Sequence, residues 1–83
     1  MPQHKSAIKR VRQNERRRER NRLHRSRMRT MMVRLKSTTD KEEAQAQARN
    51  LKAYLDRLVH KRIIHKNKAA NYKSALDKSV NAL

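Results

Sequence analysis

The sequence predicts an all-α fold: a three-helix bundle whose first helix is long, basic and projects beyond the bundle. Three observations carry that expectation. Glycine is absent and the single proline is Pro2, so nothing inside the chain breaks a helix by backbone chemistry, and hairpin turns needing positive φ have no obvious residue. Apolar residues recur at helical spacing in three stretches after residue 24. Residues 12–22, in contrast, contain no apolar side chain at all. Such a segment has nothing to bury in a core, and something outside the chain must order it.

The first helix is expected from near Ser6, placed to cap the first turn, to about Lys36. Some thirty residues at 1.5 Å each make a rod of about 45 Å, longer than an 83-residue globule is wide. Met28, Met31, Met32 and Leu35 fall at i, i+3, i+4, i+7, with His24 one turn earlier. Only this end has a face to pack. Elsewhere cations form two bands, one through Lys5, Lys9, Arg16, Arg20, Arg27 and Arg34, the other through Arg18, Arg22, Arg25, Arg29 and Lys36, with Arg10 and Arg17 between them. Glu15 and Glu19 are too few to neutralise them by i, i+3 pairing. A rod ringed this way is suited to lie between nucleic-acid elements and touch more than one.

Ser37, Thr38, Thr39 and Asp40 interrupt the rod. Thr39 with Glu42, or Asp40 with Glu43, fits a capping box for a second helix reaching Leu58 or His60. Its inner face is Ala44, Ala48, Leu51, Leu55, Leu58 and Val59. A short connection between two striped helices makes them antiparallel neighbours. The periodicity blurs over 61–67, where a turn is expected and Ile63 and Ile64 plug the bundle end. From Asn67 a third helix places Ala69, Tyr72, Leu76, Val80 and Leu83 on one face. Tyr54 and Tyr72 both fall on or beside packed stripes and read as core rather than base-stacking platforms.

The 83 residues form one domain carrying a formal net charge of +17, from 24 Lys and Arg against 7 Asp and Glu. Residues 1–36 hold fourteen Lys and Arg against Glu15 and Glu19, a net of +12; residues 37–60 balance to zero; residues 61–83 hold six against Asp77, a net of +5. Two basic blocks thus flank a neutral packing element. Self-repulsion on this scale implies a polyanionic partner. No apolar run is long enough to span a membrane, so a soluble chain is expected. An arginine-rich start suits a mitochondrial transit peptide poorly when it carries Glu15 and Glu19. There is no cysteine, no glycine-rich phosphate loop and no HExxH pair, which argues against an enzyme, a small-molecule substrate or a cofactor. His60 and His65 are five apart and share no helical face, so no metal site is expected.

Two nucleic-acid readings remain. RNA suits a rod with arginine on several faces, because A-form duplexes are recognised through phosphates, 2′-hydroxyls and shape. Asn21 and Arg29 have the separation of a leucine-zipper basic region, but the leucine heptads that should follow are replaced by a new helix start at 37–40. The alternative carried forward is a free-standing DNA-binding helical protein of transcription or DNA compaction.

The chain resembles the bacterial small-subunit ribosomal protein number twenty, the S-twenty family, over essentially its whole length. The resemblance rests on Lys5-Ser6-Ala7-Ile8-Lys9-Arg10, Arg16, Asn21, Arg25-Ser26 and Arg29-Thr30, and above all on Ile64-His65-Lys66-Asn67-Lys68-Ala69-Ala70 followed by Lys73-Ser74 and Leu76. It implies a three-helix protein of the cytoplasmic ribosome that binds 16S rRNA directly and early in assembly. It would join rRNA segments low in the subunit body, alongside other small-subunit proteins. Asn71 and Ala75 stand where the family often has arginine, and Arg62 where it frequently has glycine, which a helical continuation of the second helix would accommodate. Expected RNA contacts are Lys5, Lys9, Arg10, Arg16, Arg17, Arg20, Arg25 and Arg29 on the rod, with His65, Lys66, Asn67, Lys68 and Lys73 near the third helix.

Overall fold

A computed structural model describes the backbone of residues 2–83 and the side chains of residues 6–83. Three helices follow one another as α1 (Pro2–Ser37), α2 (Lys41–His60) and α3 (Lys66–Asn81). The first begins at Pro2 rather than at Ser6, which lies inside it. Proline lacks an N–H that the first turn would leave unbonded in any case, and its fixed φ suits that position.

α1 has no glycine with which to end. Instead the hydroxyls of Ser37 and Thr38 donate to the carbonyl of Arg34, at 2.9 and 2.8 Å, and the Thr38 amide donates to Leu35 O at 3.2 Å. The chain then turns back. Thr38 lies beside Gln47 of α2 and His24 beside Tyr54, so rising numbers in α1 meet falling numbers in α2 and the two are antiparallel. Asp40 is the N-cap residue of α2, but its side chain makes no capping bond, so the expected capping box does not form. Glu43 accepts instead from Gln47, at 3.4 Å, and Gln47 Oε1 lies 3.1 Å from the Thr38 hydroxyl. The acid that would have closed the box is used one turn further along.

α2 is the centre of the molecule, packed on α1 by one flank and on α3 by the other. Leu51 and Leu55 are 0 % exposed and Leu58 is 1 % exposed; each such burial stabilises by about 1.5–3 kcal/mol. Met28 and Leu35 enter this core from α1, Ile63 and Ile64 close one end, and Ala69, Leu76 and Val80 enter from α3. Leu83, expected on the same face, lies past the end of α3 and is exposed.

Between α2 and α3 the backbone makes a Schellman turn. The amide of Ile63 donates to Leu58 O and that of Arg62 to Val59 O, both at 2.9 Å. The residue between cap and core in this motif takes the left-handed conformation, usually as glycine; here it is Arg62, with φ 61°. The segment is therefore a true turn and not a continuation of α2, and the side chain is accepted in place of glycine at some steric cost.

Across this turn α3 returns antiparallel to α2, joined on its outer side by the ion pairs Lys52–Asp77 and Lys73–Asp56. The Cα radius of gyration is 17.2 Å, against about 12 Å for a compact chain of this length. The excess is α1, whose 36 residues give a rod of about 54 Å.

Candidate nucleic-acid interface

From residue 6 to residue 20 every side chain of α1 is exposed. Seven of these fifteen residues are Lys or Arg, against Glu15 and Glu19, so the stretch is strongly cationic. Lys9, Arg10, Arg16, Arg17 and Arg20 all lie on this free part; the side chain of Lys5 lies outside the described residues. Along one flank a groove is lined by Asn14, Arg17, Arg18, Asn21, Arg22, Arg25, Ser26 and Arg29. Short asparagine and serine side chains lie between long arginines, leaving an open channel with donors on both banks. Arg18 and Arg22 were not among the expected contact residues. The signal was present in the sequence: 18, 22, 25 and 29 step by four, three and four, and so share a face.

The groove leads to the bundle. There Arg25 and Arg29 of α1 stand with His65 and Lys68 of the third-helix block around a cleft whose floor is Met28, Met32, Ile63, Ile64 and Tyr72. Arg25 is held across the mouth by a hydrogen bond from Nη2 to the carbonyl of Ile63, at 3.4 Å. Lys68 places its ammonium 5.9 Å from the Tyr72 ring centroid. Two stretches of sequence some forty residues apart thus form one basic site with no acidic residue in its lining.

His65 has a role that its sequence context did not reveal: it is the N-cap of α3, and its Nδ1 accepts from the Asn67 amide at 3.1 Å. An accepting Nδ1 puts the ring proton on Nε2, which is left as a donor. Lys66 and Asn67 lie exposed in the first turn of α3, where the helix dipole adds to the positive potential. Lys73 is placed differently. Five residues from Lys68, it faces the other side of α3 and pairs with Asp56. Among the described residues the ion pairs are this one and Lys52–Asp77, so the face shared by α2 and α3 is internally neutralised. The two basic blocks meet on the opposite side.

His24, one turn before the apolar stripe of α1, is half-buried. Its Nδ1 lies 2.7 Å from the Tyr54 hydroxyl. Its pKa is lowered, first by burial and then by the nearby charges of Lys61, Arg27 and Arg20. Tyr54 and Tyr72 are both partly buried against the core.

Among the described residues no group of His, Cys, Asp or Glu side chains is arranged to hold a metal ion. No described helix is long and apolar enough to cross a membrane.

The family model described as ribosomal protein S20 matches residues 2–81. Three bacterial proteins named small ribosomal subunit protein bS20 are similar along the whole chain. That of Salinibacter ruber is 55 % identical, covering 100 % of this chain and 99 % of the relative. That of Parabacteroides distasonis is 52 % identical over the same shares, and that of Flavobacterium psychrophilum is 45 % identical over 100 % of both.

Proposed function

Because the chain belongs to the ribosomal protein S20 family, we propose that it is a non-enzymatic constituent of the small subunit of the cytoplasmic ribosome. In this reading it binds 16S rRNA directly and holds rRNA helices together by neutralising their phosphates. The observation that carries the proposal is the meeting of Arg25 and Arg29 with His65 and Lys68 around one cleft, continuous with the exposed arginines of the rod. One cationic surface then runs along α1 and onto α3, while the face of the bundle bearing Lys52–Asp77 and Lys73–Asp56 remains balanced in charge.

Such a molecule acts as a counter-ion with a fixed shape. Where two RNA helices approach, their phosphates repel. An arginine-bearing rod between them replaces mobile counter-ions with planar forks that hydrogen-bond phosphate oxygens on more than one side. The bundle sets the depth and direction at which the rod enters. Its own chemistry is limited to binding.

The test is titration of the full chain with small-subunit rRNA over a range of salt concentrations. Engagement of six to ten cations gives a log-log slope of roughly minus five to minus nine; a nearly flat dependence contradicts the proposal. Co-sedimentation with small subunits at high salt separates it from the DNA-binding alternative, which predicts comparable affinity for duplex DNA and no retention on subunits.

A further inference from the structure

The two parts of the basic surface differ in one respect. The groove along α1 is lined by Asn14, Asn21, Ser26 and arginines and has no apolar floor. It offers donors to a phosphate backbone and no aromatic ring for the face of a base. The cleft at the bundle has both a cationic rim and an apolar floor, with a volume of about 360 Å³, within the range of sites that enclose small organic groups. Met32 and Tyr72 are the partly exposed members of that floor.

We infer that this cleft is a site for a single unpaired nucleotide, its base laid against Met32 and Tyr72 and its phosphates held by Arg29, Lys68 and Nε2 of His65. The inference rests on the rRNA-binding reading above and adds the kind of RNA element the bundle takes. In an A-form duplex the bases are stacked inside, whereas a bulged or looped-out base exposes a flat apolar face that proteins meet with aromatic rings or guanidinium planes. Arg25, which lines the cleft and is hydrogen-bonded to Ile63 O, carries such a plane. Methionine adapts its shape to the entering ring. The cleft would be poorly matched to a phosphate alone, which leaves its floor uncovered, and poorly matched to an apolar peptide, whose approach strips water from four cationic or polar side chains without replacement.

The experiment uses the full chain and three short RNAs that differ at one position: a plain duplex, the same duplex with one unpaired adenosine, and the same duplex with an abasic residue in place of that adenosine. Affinity is read at one fixed salt concentration. The adenosine-bulged RNA is expected to bind about tenfold more tightly than the other two. Tyr72→Leu, which keeps the floor apolar but removes the ring, is expected to bring the adenosine-bulged RNA down to the abasic level. If circular dichroism shows that variant misfolded, the comparison of adenosine with abasic RNA on the unmodified chain decides alone. Equal affinity for those two RNAs overturns the nucleotide site, even where small-subunit rRNA still binds. Failure to bind small-subunit rRNA at all overturns the underlying reading instead.

Discussion

The Tyr54 hydroxyl lies 2.7 Å from Nδ1 of His24, across the contact between α2 and α1. The same hydroxyl donates to the carbonyl oxygen of His24, at 3.4 Å, so Tyr54 ties both the ring and the backbone of that residue. The rings meet at a centroid distance of 6.0 Å, tilted by 46°. This pair marks the place where the rod leaves the bundle: among the described residues beyond it toward the N-terminus, all but Asn21 are exposed.

Lowering of the His24 pKa makes this junction sensitive to acid. The unfolded chain takes up a proton near the ordinary value of 6.5, whereas the folded chain resists it, because burial and then Lys61, Arg27 and Arg20 oppose a positive ring. The contribution is complete above the ordinary value and is lost as pH falls from there through the lowered folded value. Urea unfolding monitored at neutral pH and at mildly acidic pH should show less stability in acid, with the dependence reduced in His24→Gln. Tyr54→Phe should cost about 1 kcal/mol at neutral pH. If the His24→Gln variant keeps the full acid dependence, other groups are responsible.

Arg62 makes a second prediction, with the opposite sign. Its φ of 61° places a side chain where the Schellman turn prefers none. Arg62→Gly should therefore raise the stability of the free protein by up to about 1 kcal/mol, the steric relief being partly offset by glycine's greater freedom in the unfolded state. Denaturant midpoints of the two proteins measure this directly. A lower midpoint for the glycine variant would mean that the left-handed turn is not the conformation in solution.

The core makes a third. Leu55 is 0 % exposed at the centre of α2, and Leu55→Ala should cost about 2–5 kcal/mol, most of the stability available to so small a domain. Thermal melts should show the cooperative transition lost or displaced well downward, while a surface change such as Gln45→Ala leaves it in place.

How much of this was legible in the sequence follows the range over which each feature is set. The stripe of Ala44, Ala48, Leu51, Leu55 and Leu58 is a periodicity within one helix, and the structure buries all five. The exposed arginines of the rod were equally legible, because no residue nearby could cover them. What escaped depended on register between elements. Lys52–Asp77 and Lys73–Asp56 join residues far apart in sequence, and nothing local distinguishes Lys73 from Lys68. The capping box at Asp40 and Glu43 failed for a similar reason, since Gln47 links Glu43 to Thr38 across the α1–α2 turn. His65 as a cap was missed because histidine is not among the usual capping residues, although an accepting nitrogen serves the same purpose.

The ion pair of Lys73 separates it from the other basic residues in a way that binding can measure. Arg29 has no carboxylate partner among the described residues and lines both the groove and the cleft. Arg29→Ala should reduce the salt slope of rRNA binding by about one. Lys73→Ala should change it less, because its ammonium already faces Asp56 on the balanced side of the bundle. Equal losses from the two variants would place RNA on both faces of α3.

The last prediction concerns the rod itself. Residues 6–20 bury no side chain against the bundle, and isolated helical segments of this length are marginal in water even without charge repulsion. Here Lys9, Arg10, Arg12, Arg16, Arg17, Arg18 and Arg20 stand against only Glu15 and Glu19. In the free chain at low salt, amide hydrogen exchange should be nearly unprotected over this stretch while Leu51, Leu55 and Leu58 stay protected. Adding small-subunit rRNA should protect both, with a matching gain of helical circular dichroism, because phosphates on several sides remove the repulsion that opposes the helix. Full protection of residues 6–20 in the free chain would show that local propensity alone outweighs that repulsion. The rod would then enter the RNA preformed instead of folding against it.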